Sequence, residues 1–164
     1  MSKLYVRVDD RLIHGQIVAS WCITLGIGQI IAIDDELASN EMLQSIMTMG
    51  VPAQYDPQIV TVEQAKEMLQ KDSGKNRLVI VRSAKELAKI QDEIKGCEVI
   101  NIGNSSKRDD THFRVARGVG WYIFLSEEDK EALEALAADG VTIISQQLPT
   151  EKLLDWNAIQ KSFD

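Results

Sequence analysis

Residues 6–16 read VRVDDRLIHGQ, a stretch in which an apolar run ends in two carboxylates, an arginine and then a histidine beside a glycine. An imidazole next to a carboxylate can be held through one ring nitrogen while the other stays free as a nucleophile. The free nitrogen of His14 can accept a phosphoryl group, forming a reactive N–P bond rather than a stable ester. Arg11 supplies a full charge on a planar fork that matches phosphate oxygens. Gly15 and Gln16, at the start of an expected helix, offer backbone N–H groups to the same anion. Asp9 and Asp10 would repel a phosphate that they faced, so one or the other is expected to hold Arg11 or to orient the imidazole. Leu12 and Ile13 lie between the charged cluster and the histidine and anchor the turn. Transfer of this kind rests on alignment and charge stabilisation, and it requires neither a cofactor nor a metal ligated by this chain.

The elements that position these residues alternate. Leu4–Val8 reads as a first strand and Gln16–Leu25 as a helix with Val18, Cys22 and Leu25 on one face. Gln29–Ile33 is a continuous apolar run that ends in Asp34 and Asp35, as a parallel strand covered on both faces would. A helix over Asn40–Met49 carries a stripe of Met42, Ile46 and Met49, read as core filling together with Met47. Ile59–Val60 is a short strand, and Thr61 with Gln64 opens a helix through a capping box. Leu78–Val81 is a strand; Ser83 with Glu86 predicts a second capping box, on a helix buried through Leu87, Ile90 and Ile94. Val99–Ile102 is again a strand. Gly103–Gly120 shows no clear period and reads as a long irregular loop containing His112, a length that is often functional. Trp121–Leu125 is a strand, Ser126 with Asp129 starts a helix carrying Leu133 and Leu136, and Val141–Ile144 is the last strand. A short helix after Pro149 is expected to pack back through Leu153, Leu154 and Ile159.

This alternation predicts an α/β fold, a single domain over residues 1–164 with a mostly parallel central sheet and helices on both faces. Ligands of such sheets gather at the carboxyl ends of the strands. His14, Asp34–Asp35, Arg82–Ser83 and the Gly103 loop all follow strands, so they are expected to share that edge. Asp34 and Asp35 read either as a support behind the site or, the reading favoured, as a polar strand end that caps the next helix.

A length of 164 residues with 45% hydrophobic and 26% charged side chains is that of one ordinary globular domain. A net charge of −7 argues against binding nucleic acid, which needs an excess of Lys and Arg on some face. No run approaches the ~20 apolar residues of a membrane span, and the N-terminus lacks the apolar core of a signal peptide, so a cytoplasmic location is expected. Cys22 and Cys97 sit in apolar periodic segments and read as free, packed thiols. With two histidines and no close Cys/His spacing, a zinc site is not expected.

Arg7 through Gln16 closely resembles the signature of the IIB subunit of the mannose/fructose/sorbose family of the bacterial phosphoenolpyruvate-dependent sugar phosphotransferase system. Trp21, the segment Ile33 to Ala38 and the segment Val99 to Asn104 resemble the matching segments of that family, in the same order. The resemblance implies a cytoplasmic phosphocarrier beside the membrane transporter. His14 would receive a phosphoryl group on Nδ1 from a histidine of a IIA protein or domain and pass it to a sugar bound by the membrane IIC and IID subunits, with Arg11 contacting the phosphoryl group. The family also has an α/β fold with a mostly parallel sheet. Ser105 stands where many relatives have methionine, and residues 106–120 depart from the family pattern, so the resemblance names no sugar.

Two rivals belong to other classes. One is a regulatory module that keeps the fold and uses His14 only as a phosphorylation-sensitive switch. The other is a nucleotide- or flavin-binding domain, but the first turn has neither G-x-G-x-x-G nor a P-loop.

Overall fold

A strand that is apolar on both faces needs cover on both faces, and residues 77–81 receive it. In the computed structural model, which describes residues 2–118 and 120–164, β4 (Arg77–Val81) is buried throughout within a seven-stranded sheet. β1 (Leu4–Asp9), β2 (Gln29–Ile33), β3 (Pro57–Val60), β5 (Val99–Asn104) and β8 (Ile143–Ser145) form parallel pairs in the order β3-β2-β4-β1-β5-β8. The two-residue β9 (Leu154–Asp155) completes that edge, antiparallel to β8.

Each face of the sheet has its own core. On one side α1, wound as π turns over Ile17–Cys22 and as α over Ile23–Leu25, packs Ile17, Trp21 and Cys22 on Ile30, Ala32, Leu78 and Ile80. The short α2 (Asp35–Ala38) adds Leu37 there, and α3 (Glu41–Thr48) adds part of Met47. The other side is covered by α4 (Val62–Leu69), α5 (a 3-10 stretch over Ala84–Ile90 continuing as α over Gln91–Ile94), α6 (Glu127–Ala138) and α7 (Trp156–Gln160). Their Ala65, Leu87, Ile94, Leu133, Leu136 and Ile159 meet Val6, Val8, Ile31, Val79, Val81, Ile100 and Ile102. Full burial of one such side chain contributes about 1.5–3 kcal/mol, so the α/β sandwich expected from the alternation is the arrangement that buries every apolar strand face.

The chain leaves β1 toward the first face, into α1, and leaves β4 and β5 toward the second. The connections therefore part above the end of β1, the kind of crevice in which α/β sheets hold ligands.

Several local expectations change. The reciprocal capping boxes form at Thr61/Gln64 and Ser126/Asp129, but Ser83 makes no side-chain cap. The Lys85 N–H goes instead to Asp129 Oδ1 at 2.8 Å, so a residue of α6 caps the start of α5. Most of the stretch read as an irregular loop over 103–120 is regular: β5 runs on to Asn104, and β6 (Thr111–Gly118) pairs antiparallel with β7 (Trp121–Ser126) as a separate hairpin, leaving 105–110 as the connection, while Val119 lies outside the described residues. Phe113 and Val115 face the core while His112 and Arg114 face water, a period-2 alternation that the basic residues hide. Trp121–Leu125 accordingly lies outside the main sheet, and the strand expected over Val141–Ile144 is confined to Ile143–Ser145. The Met42, Ile46 and Met49 stripe does not fill the core; these side chains are 73%, 56% and 74% exposed, because α3 turns only its Met47 side toward the sheet. Leu153 is likewise exposed, although Leu154 and Ile159 pack.

Candidate active site

The end of β1 is shaped by a register break. Val8 pairs with Ile102, but the next residue, Asp9, pairs with Asn104, so Gly103 is skipped in a bulge of the kind that re-aims side chains beside functional sites. The backbone then turns over Asp9–Leu12, where the Leu12 N–H donates to the Asp9 carbonyl at 3.0 Å. Leu12 takes a left-handed φ of 54°, a conformation that costs roughly 1–2 kcal/mol. Its fully buried side chain, with Ile13 behind it, holds the turn in that state.

Asp9 is completely buried and gathers the site. Arg11 grips it with both edges of its fork, Nε to Oδ1 and Nη2 to Oδ2 at 3.0 Å each, and the Arg11 backbone N–H adds a third bond to Oδ1 at 3.0 Å. His14 Nε2 lies 3.3 Å from Asp9 Oδ2. Burial opposes ionisation of Asp9, but the hydrogen bonds from His14 and Arg11 and the charge of Arg7 outweigh it and hold the carboxyl well below the usual carboxylate range. An ionised carboxylate only accepts, so the imidazole proton belongs on Nε2 and the lone pair on Nδ1. That lone pair faces the Gln16 N–H at 3.3 Å, at the entrance to α1. The N–H groups of Ile17 and Val18 return to the His14 carbonyl, whereas that of Gly15 has no partner among the described residues. Arg11 Nη2 also reaches Gln16 Oε1 at 3.4 Å, and none of these bonds uses its Nη1.

Beneath Asp9 lies a second guanidinium that the reading of the sequence passed over. Arg7 is 1% exposed; its Nε is 3.4 Å from Asp9 Oδ2, paired by charge but not aligned as a hydrogen bond. Its Nη1 and Nη2 donate to the carbonyls of Gln146 and Gln147 at 3.3 and 3.2 Å, and its Cζ sits 5.5 Å from the Trp21 ring centroid. Burial pushes the Arg7 pKa down to about 10 against the pull of Asp9, which leaves it charged at neutral pH. One carboxylate thus serves two guanidiniums, and the immediate surroundings of Asp9 keep one excess positive charge. The signal was present in the sequence: residues two apart on a strand share a face, so Arg7 must lie beside Asp9. Trp21, buried in the core on this face of the sheet, also donates its Nε1–H to the Gln147 carbonyl at 2.7 Å.

Asp10 does neither of the tasks expected of an aspartate here. It accepts from Asn104 Nδ2 at 2.5 Å and from the Ser106 N–H at 2.9 Å, tying the β5–β6 connection to the loop. Its carbonyl accepts from Arg82 Nη1 at 2.8 Å, and Arg82 Nε pairs with Asp34 at 2.5 Å. Asp34 caps α2 through the Leu37 N–H, and Asp35 accepts from the Val62 N–H at the start of α4. The edge shared by His14, Asp34–Asp35, Arg82–Ser83 and Gly103 is therefore stitched together by hydrogen bonds. Beside it lies a cleft of about 400 Å3 whose walls include Asp10, Asp34, Arg82, Lys85 and Lys89; there Lys85 pairs with Asp110 and Lys89 with Glu86. Among the described residues no group of three or more His, Cys, Asp and Glu side chains could hold a metal ion. Both cysteines are free, with thiols pushed up to about 11 by burial.

Comparison with known proteins bears on this arrangement. The family model described as the sorbose subfamily IIB component of the PTS system matches residues 3–163. A probable phosphotransferase enzyme IIB component from Streptococcus pyogenes is 29% identical over 148 residues, covering 88% of this chain and 91% of that protein. The fructose-specific EIIB component of Bacillus subtilis is 23% identical over 164 residues, 99% of this chain and 98% of its own length. Among solved structures, manxB from Thermoanaerobacter tengcongensis superposes with a TM-score of 0.81 at 26% identity, over 99% of this chain and 98% of that one.

Proposed function

The chain belongs to the sorbose subfamily of IIB components of the sugar phosphotransferase system, and from that premise we propose that His14 is its phosphoryl carrier. Nδ1 of His14 attacks the phosphorus of a phosphohistidine on a IIA protein or domain; the N–P bond to the donor breaks, and its electron pair returns to the donor imidazole. His14 then carries the phosphoryl group on Nδ1 and a proton on Nε2. The positive charge that develops on its ring lies against the ionised Asp9, the stabilisation that such a transfer needs from its surroundings. Arg11, through Nη1 and the edge it can free from Asp9, and the N–H groups of Gly15 and Gln16 bind the phosphoryl oxygens. In the second half, a hydroxyl of a sugar held by membrane IIC and IID subunits attacks phosphorus, the electron pair of the N–P bond returns to Nδ1, and the hydroxyl proton passes to solvent.

The observation that carries this reading is the placement of the two ring nitrogens, Nε2 against Asp9 and Nδ1 against only a long bond from the Gln16 N–H. Asp9 is the positioning carboxylate, while Asp10 acts indirectly by fixing the loop. No helix among the described residues is long and apolar enough to cross a membrane; in this reading the chain works in the cytoplasm, docking in turn on its donor and on the transporter.

The test is intact mass after incubation with phosphoenolpyruvate, the general phosphotransferase proteins and a IIA of the mannose family. One acid-labile phosphoryl group on the wild type and none on His14→Ala is the expected outcome. A protein that stays unmodified with matched donors, or a His14→Ala variant that still gains the group, overturns the carrier role.

A further inference from the structure

Phosphoryl transfer as described leaves one charged pocket without a task. Arg117 on β6, Trp121 at the start of β7, and Gln147, Glu151 and Lys152 from the segment between β8 and β9 line about 280 Å3. His14 is not part of this lining. Between the two stands the buried Arg7, bonded to the Gln147 carbonyl on one side and paired with Asp9 on the other.

Two buried side chains in the pocket lack the partners that burial demands. The Arg117 side chain is 5% exposed, and its Nε has no hydrogen-bond partner among the described residues. Its other two bonds are long, Nη1 to the Gly103 carbonyl and Nη2 to Glu151 Oε2 at 3.4 Å each. Burial lowers the Arg117 pKa against the pull of Glu151, so this one counter-charge does not make up for the water lost. Gln147 is 6% exposed, and its side-chain amide has no partner among the described residues. Lys152 adds a second cation, exposed and without an ion pair among the described residues.

Arg117 and Lys152 against Glu151 leave the lining with an excess of positive charge, and that excess sets the class of ligand. A single negative charge balances it, whereas a phosphate ester carries nearly two at neutral pH. A carboxylate presents two oxygens in one plane, which match a guanidinium fork and can accept from an amide as well. The Trp121 indole, 47% exposed, offers a flat apolar face to whatever carries the carboxylate. The volume lies just under the ~300–1,000 Å3 of typical small-molecule sites, so the ligand is small. Glu151 is a built-in competitor: its carboxylate is 41% exposed and held by one long bond, free to turn to water when another takes its place.

We propose that this pocket binds a small organic monocarboxylate, its carboxylate held by Arg117, Gln147 and Lys152 and its apolar part laid on Trp121. The site is separate from the phosphoryl site and does not depend on the carrier reading of His14.

The test follows the indole N–H resonances of the 15N-labelled protein at constant ionic strength, during titration with acetate, pyruvate and benzoate, with the neutral benzamide, and with inorganic phosphate. A saturable shift of the Trp121 resonance with at least one carboxylate, weaker or absent with benzamide and phosphate, is expected. His14→Ala should bind the same probe with unchanged affinity. Arg117→Lys keeps the charge but not the fork and should weaken binding at least about tenfold. Because replacing a buried arginine can disturb the fold, its two exposed neighbours supply a second pair of variants. Glu151→Gln removes the competitor and should tighten binding about threefold, while Lys152→Gln should weaken it by a similar factor. The site is overturned by the absence of a saturable shift with any of the three carboxylates, by an equal or stronger response to benzamide or phosphate, or by an affinity that Glu151→Gln does not raise.

Discussion

Gly103→Ala is the substitution in which the architecture of the site is most exposed to test. A Cβ built on Gly103 falls on the Arg7 guanidinium, 2.7 Å from Nη1 and closer still to Cζ and Nη2. Real Cβ contacts essentially never fall below 3.0 Å, so the guanidinium must move by more than half an ångström. It has nowhere free to go, since Trp21, the Gln146 and Gln147 carbonyls and Asp9 surround it. Overpacking of a filled site costs typically ~1–3 kcal/mol, and breaking a buried charge pair ~3–5 kcal/mol. Because Arg7 would be displaced rather than removed, a loss of about 3 kcal/mol is expected, which at ~2–4 °C per kcal/mol for a domain of this size lowers Tm by roughly 6–12 °C. Denaturant titration of a double-mutant cycle isolates the cause. In an Arg7→Leu background, where the side chain ends short of the collision, the added cost of Gly103→Ala should fall below ~1 kcal/mol. A full-sized loss in that background, or no loss in the wild type, would refute the claim that the glycine is there to admit the guanidinium.

Asp9→Asn should cost ~3–5 kcal/mol at neutral pH by leaving Arg7 buried without its counter-charge. Because the native Asp9 pKa is depressed, the advantage of the wild type is complete above the unfolded value of about 3.9 and is lost as pH falls through that value toward the lower native one; denaturation curves of the two proteins from pH 7 down to 2 should converge. Arg11→Lys keeps the charge but not the fork, so loading of His14 measured by rapid quench should slow at least about tenfold while stability changes by less than ~1 kcal/mol. Ile46→Lys, on the exposed side of α3, should alter the denaturation midpoint by no more than ~0.5 kcal/mol of stability; a core-sized loss would restore the buried stripe that its spacing suggests.

What the sequence determined by itself is what depends on local order. Apolar runs bounded by glycines and polar strand ends are enough to specify an alternating α/β chain, because period and burial follow directly from backbone geometry. The motif placed His14, Arg11 and Asp9 within one turn of one another, and strand-to-helix connectivity placed that turn at the carboxyl edge. Thr61 and Ser126 cap the helices that they precede because capping needs only neighbours.

The tertiary structure decided whatever depends on a partner distant in the chain. Which of two adjacent aspartates faces the histidine was settled by the bulge opposite Gly103, a residue 94 positions away from Asp9. Ser83 lost its cap to Asp129, and the apolar stripe of α3 faces water because the helix is rolled onto Met47. Residues 111–118 became a strand because a hairpin partner and the core behind it reward an alternation too weak to announce itself. Arg7 is the sharpest case. Its type alone would place it at the surface, and only the convergence of Trp21, two carbonyls, Asp9 and a glycine without a side chain makes a buried guanidinium affordable, since each supplies in the interior a contact that water would otherwise provide.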